Sequence, residues 1–103
     1  MSRRGNEPLD PIIHSPVRLA ILSILISVES ADFKYLKETI DVTDGNLSSH
    51  LSKLEGAGLI SVEKSFRGKK PHTAFSITPK GRERFAKYVS HLEKIIHFGE
   101  NQP

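Results

Sequence analysis

Up to residue 56 the apolar residues of this chain recur at helical intervals, and from residue 60 to residue 77 they alternate with polar ones. Ser15 before Pro16 reads as a helix start: the hydroxyl can cap, and proline suits the first helical position, whose N–H has no intrahelical partner. The helix that follows is predicted to run to about Val28. Val17, Ile21, Ile24, Leu25 and Val28 form one apolar face and Leu19, Leu22 and Ile26 a second, so burial on both sides is expected. Asp32 can cap a short second helix from Phe33 to about Ile40, with Phe33, Leu36 and Ile40 at i, i+3 and i+7. After Asp41-Val42, Thr43 caps a third helix to about Gly56. A connection of about three residues forces two helices to cross steeply, as in a helix-turn-helix.

After Gly58 the period falls to two. Ile60, Val62 and Phe66 alternate with Ser61, Glu63 and Ser65, and Thr73, Phe75 and Ile77 with Ala74 and Ser76, predicting two strands. Between them "RGKKP" reads as a five-residue loop that places Arg67, Lys69 and Lys70 at a hairpin tip. Thr78-Pro79 repeats the cap-then-proline signal and opens a long helix toward Phe98. The expected domain is residues 9–98, between tails 1–8 and 99–103.

The third helix carries the most informative pattern. At about 100° per residue, Leu47, Leu51 and Leu54 share one narrow arc. Opposite them fall Gly45, Ser49, Ser52 and Gly56, with Ser48 and Lys53 on the shoulders and Asn46 and His50 on the flank nearer the core. A solvated helix face is normally filled with long charged residues, which are better helix formers than serine. Small residues instead permit close approach, hydroxyls donate to phosphates or base edges, and a helix N-terminus attracts phosphate.

The segments "SPVRLAILSIL", "LSSHLSKLEGAGLI" and "KSFRGKKPHTAFSITPKGRERF" resemble, in order and spacing, the signature blocks of winged-helix transcriptional regulators of the ArsR/MarR type, over about Leu9 to Val89. The resemblance implies an α+β, mainly α, winged helix-turn-helix fold with a two-stranded β-hairpin wing and a long C-terminal dimerisation helix. It implies that helix 43–56 enters the major groove of double-stranded DNA, where Asn46, Ser48, Ser49, His50 and Lys53, with Ser52 on the same outer face, would touch it. Hairpin 60–77 would be the wing, whose basic tip, 66–72, reaches the backbone or minor groove through Arg67, Lys69 and Lys70. It also implies a homodimer held by terminal helices.

Composition narrows the alternatives. A chain of 103 residues, 37% hydrophobic, can bury one modest core. It has no cysteine, which removes disulfides, thiolate zinc sites and cysteine nucleophiles. No signal-peptide pattern follows Arg3 and Arg4. The longest apolar run, Leu19 to Val28, is broken by Ser23 and Ser27 and is too short to span a bilayer, so no membrane association and a cytoplasmic location are expected. The formal charge of +3 hints only weakly at an anionic partner. No Gly-rich phosphate loop, activated nucleophile or convergent acids point to an enzyme, and no cofactor is implied.

Two apolar faces exceed what so small a core can absorb. Phe85, Val89, Leu92 and Ile96 lie at i, i+4, i+7 and i+11 of the last helix, with Tyr88 and Ile95 beside them. Together with Leu19, Leu22 and Ile26 they are the expected homodimer interface. His97 and Glu100 have an H-x-x-E spacing, but Val89 stands where an upstream carboxylate would be wanted, so His91 and His97 are expected to face solvent or the interface and no metal is expected. A small-molecule effector between the dimerisation helices stays open. So does the alternative of a winged helix serving as a protein-interaction module.

Overall fold

The computed structural model describes residues 8–98. Four helices, α1 (Pro16–Leu25), α2 (Phe33–Ile40), α3 (Asp44–Gly56) and α4 (Pro79–Ile96), surround a three-stranded antiparallel sheet of β1 (Ala31–Asp32), β2 (Ile60–Arg67) and β3 (Lys70–Ile77) in the order β1-β3-β2. Each helix starts where local chemistry places it. Ser15, Asp32, Thr43 and Thr78 accept hydrogen bonds from the backbone N–H groups of Arg18, Tyr35, Asn46 and Gly81, satisfying donors that the first turn leaves without partners.

The helix-turn-helix is closed by Asp41, which takes a left-handed conformation (φ 63°) and returns its N–H to the Lys37 carbonyl. The end of α3 is a Schellman motif: Gly58 (φ 78°) donates to Glu55 and Leu59 donates to Leu54. Leu54 and Leu59 are both fully buried, so the same turn that ends the helix aims β2 into the core. Ile13, Ile21, Leu22, Leu25, Leu36, Leu47, Leu51, Phe75, Ile77 and Tyr88 lie in the same core. Each large apolar side chain withdrawn from water contributes about 1.5–3 kcal/mol.

Four expectations need correction. α1 ends at Leu25, three residues early; Ser27 donates its hydroxyl to the Ile24 carbonyl and Val28 is exposed beyond the helix. Glu29-Ser30-Ala31, which by its sequence reads as a loop, instead leads into an edge strand, because Ala31 and Asp32 pair with Phe75 and Ala74 on the free side of β3. The wing turn is shorter than five residues: Arg67 pairs with Lys70 and Phe66 with Pro71, which leaves only Gly68 and Lys69 unpaired, Gly68 at φ 64° where glycine is unstrained. Finally, Leu22 is fully buried in its own core and cannot belong to a dimer interface. Leu19 and Ile26, on the same face of α1, are only half-buried.

α4 leaves the body at a tight corner. Thr78 donates its N–H to Leu59 and its hydroxyl to Gly58, which fixes the helix start against the end of α3. Further along, Arg84 makes a two-pronged ion pair with Asp10, at 2.8 and 3.0 Å, and the Tyr88 hydroxyl hydrogen-bonds His14 Nδ1 at 2.8 Å. The segment before α1 is thus a strap between α1 and α4. No helix among the described residues is long and apolar enough to cross a membrane.

Candidate nucleic-acid interface

α3 turns Leu47, Leu51 and Leu54 inward, and its outer side carries Gly45, Asn46, Ser48, Ser49, Ser52, Lys53 and Gly56, all exposed, with an exposed acid, Glu55, on the shoulder beside Ser48. The small residues leave a smooth helical surface with backbone close to solvent. Its N-terminus carries one acid, Asp44, which would repel phosphate. Lys37 of α2 offsets that charge across the helix-turn-helix at 2.8 Å, and the pairing raises the lysine's pKa, by the hydrogen bond first and the charge of Asp44 second.

The wing supplies the second element. Lys64, Arg67, Lys69 and Lys70 stand against a single acid, Glu63, in residues 60–77. Arg67 and Lys70 are cross-strand partners flanking Lys69 in the turn, so the three expected cations do come together, all exposed. Phe66 departs from its pattern. Alternation puts it on the core face with Val62, but the ribbon has by then outrun the body, and Phe66 is 72% exposed opposite Pro71.

His50 behaves differently from the rest of the expected contacts. It is half-buried, and its Nδ1 is occupied by the Arg18 guanidinium at 2.9 Å. Burial first, then the charges of Arg18 and Lys53, hold its pKa below the ordinary imidazole value. Arg18 is a site residue that motif reading misses. It is the one charged side chain buried among the described residues, and its signal is its position: with Ile21, Leu22 and Leu25 it completes the i, i+3, i+4, i+7 stripe that faces inward.

The remaining expected residues divide. Leu19 and Ile26 are half-buried against the core, as are Phe85 and Leu92; Val89 (36%) and Ile96 (61%) are exposed. His91, expected at solvent or at an interface, is half-buried in the single chain, with its Nε2 covered and without a hydrogen-bond partner; His97 is exposed. Glu100 lies outside the described residues, and among those described no three His, Asp or Glu side chains could hold a metal ion together. A cleft of about 360 Å³ lies between the start of α1 and α4, lined by His14, Ser15, Pro16, Leu19 and Tyr88.

Comparison with known proteins places these elements in context. The family model described as a winged helix DNA-binding domain matches residues 17–96. An uncharacterized protein of Methanocaldococcus jannaschii, MJ0432, is 44% identical over 84 residues, covering 82% of this chain and 91% of its own length. The structure of a transcriptional regulator homologue from Pyrococcus horikoshii superposes with a TM-score of 0.80 at 34% identity, covering 88% of this chain and 89% of that one. A regulator of the MarR family from Enterococcus faecalis shares the fold at 22% identity, with a TM-score of 0.70 over 86% of this chain and 76% of that one.

Proposed function

This chain belongs to the winged-helix DNA-binding domain family, and from that premise we propose that it is a sequence-specific, double-stranded DNA-binding transcriptional regulator that acts as a homodimer in the cytoplasm. In this reading α3 lies in the major groove, presenting Asn46, Ser48, Ser49, His50, Ser52 and Lys53. The wing lays Arg67, Lys69 and Lys70 on the backbone or the adjacent minor groove. The observation that carries the reading is the pairing of a smooth, small-residue helix face, with a capped and outward-facing N-terminus, with a hairpin of four cations and one acid.

The dimer is supported by Val89 and Ile96, seven residues apart on one stripe of α4 and exposed in the single chain. A small-molecule effector, in this reading, uses the cleft lined by His14, Leu19 and Tyr88 between α1 and α4. Titration of a labelled random duplex at low and moderate salt tests the DNA reading first. Binding with a steep fall in log K against log salt is expected; absence of binding at low salt would instead favour the protein-interaction module. Selection of bound fragments from genomic DNA then gives the operator.

A further inference from the structure

Arg18 donates to three acceptors from a buried position: Nε to the Ile12 carbonyl, Nη2 to the Pro11 carbonyl at 3.4 Å, and Nη1 to His50 Nδ1 at 2.9 Å. A guanidinium has donors only and keeps its proton in proteins. Nδ1 must therefore offer a lone pair, so the ring is neutral and its one N–H is at Nε2. That atom has no hydrogen-bond partner among the described residues and is not fully covered. His50 follows Asn46 by four residues and precedes Lys53 by three, so all three share one flank of α3.

Resting on the placement of α3 in the major groove, we propose that Arg18 is a positioning residue for sequence reading: it fixes His50 as the Nε2–H tautomer and so makes it a permanent hydrogen-bond donor toward a base edge. Such a group donates to guanine O6 or N7, adenine N7 or thymine O4. It is mismatched to the amino groups of cytosine and adenine, which are themselves donors. The anchor extends past the helix pair, because the same guanidinium holds the carbonyls of the strap before α1. Protonation of His50 would set a second N–H against the guanidinium. The charges facing the ring are Arg18 from α1 and Lys53 from its own helix, both positive, and burial acts in the same direction. The ring therefore takes its second proton at a lower pH than an ordinary histidine does.

Long-range proton–nitrogen spectra of the unmodified, DNA-free protein read the tautomer directly. Nε2–H is expected, with protonation only below the ordinary histidine range; an Nδ1–H tautomer, or ordinary titration, overturns the proposal. The second arm compares affinity for a selected genomic duplex with that for a scrambled one. His50→Phe should reduce the preference about tenfold and His50→Gln, which can still donate from a similar position, should restore part of it. Arg18→Met should lose preference as His50→Phe does and should acquire a pH dependence between about pH 5.5 and pH 8 that the unmodified protein lacks. Equal weakening on both duplexes in His50→Phe would mean that His50 meets phosphate and overturn the base-reading role. If Arg18→Met does not fold, the spectra and the two His50 variants still decide. If the unmodified protein binds neither duplex, the DNA reading fails and this proposal with it, a result separable from a wrong tautomer because the spectra need no DNA.

Discussion

Gly81 is a glycine for reasons of space. It is buried at the corner between β3 and α4 without a positive φ, and a Cβ there would run into the Leu59 carbonyl and lie 2.9 Å from Ile77 Cγ1. Gly81→Ala should cost about 1–3 kcal/mol, and each kcal/mol lowers the melting temperature by about 4–8 °C in a domain of this size; thermal unfolding followed by circular dichroism checks it. His50 gives a pH dependence of opposite origin. Its folded-state pKa is depressed, so the folded protein binds fewer protons than the unfolded one, and the stability it contributes is present above the ordinary histidine pKa and lost as pH falls toward the lowered value. The melting temperature should therefore drop as pH falls through and below the ordinary histidine range, and His50→Gln should reduce that drop. Neither requirement is visible in the sequence, because each comes from atoms far away along the chain.

At the scale of elements, α3 and the wing separate two kinds of interaction with DNA. Lys69→Ala with Lys70→Ala should weaken binding to all duplexes alike and flatten the salt dependence by about 0.9 in slope for each phosphate no longer neutralised. An unchanged slope would take the wing off the DNA. Ser49→Glu alters only the outer face of α3, leaving Leu47, Leu51 and Leu54 in the core. Stability should stay within about 0.5 kcal/mol of the unmodified protein while DNA binding is abolished in the same titration. These elements are legible in the sequence because capping, proline placement and periodicity act within a few residues of chain. β1 is not: two residues have no period, and this strand exists only because β3 offers an unpaired edge beside it.

For the whole molecule, the question is which apolar surface remains once the subunit has folded. Phe85 and Leu92 pack partly on their own core, so a charge at either would damage the fold as well as any interface. Ile96, 61% exposed, is the cleaner probe. Ile96→Glu would place two unpaired carboxylates across a two-fold interface. Sedimentation should then show monomers with little change in melting. Affinity for a palindromic operator should fall far more than non-specific affinity, since the second half-site lies about 34 Å away along the duplex. A monomeric unmodified protein at micromolar concentration would remove the two-fold model.

Apart from β1, the element order, the four caps, the inward leucines of α3 and the basic hairpin tip follow from short stretches of sequence, because their energetics are local. How the apolar surplus is divided depends on the folded subunit. Leu22, spare by its periodicity, is fully buried, and Arg18, a charge on a greasy helix, occupies the inward stripe instead of solvent. Periodicity defines faces but not their partners. Which face of α1 meets the core, how far the wing outruns the body to expose Phe66, and which nitrogen of His50 keeps its proton are settled only when residues distant along the chain share one volume.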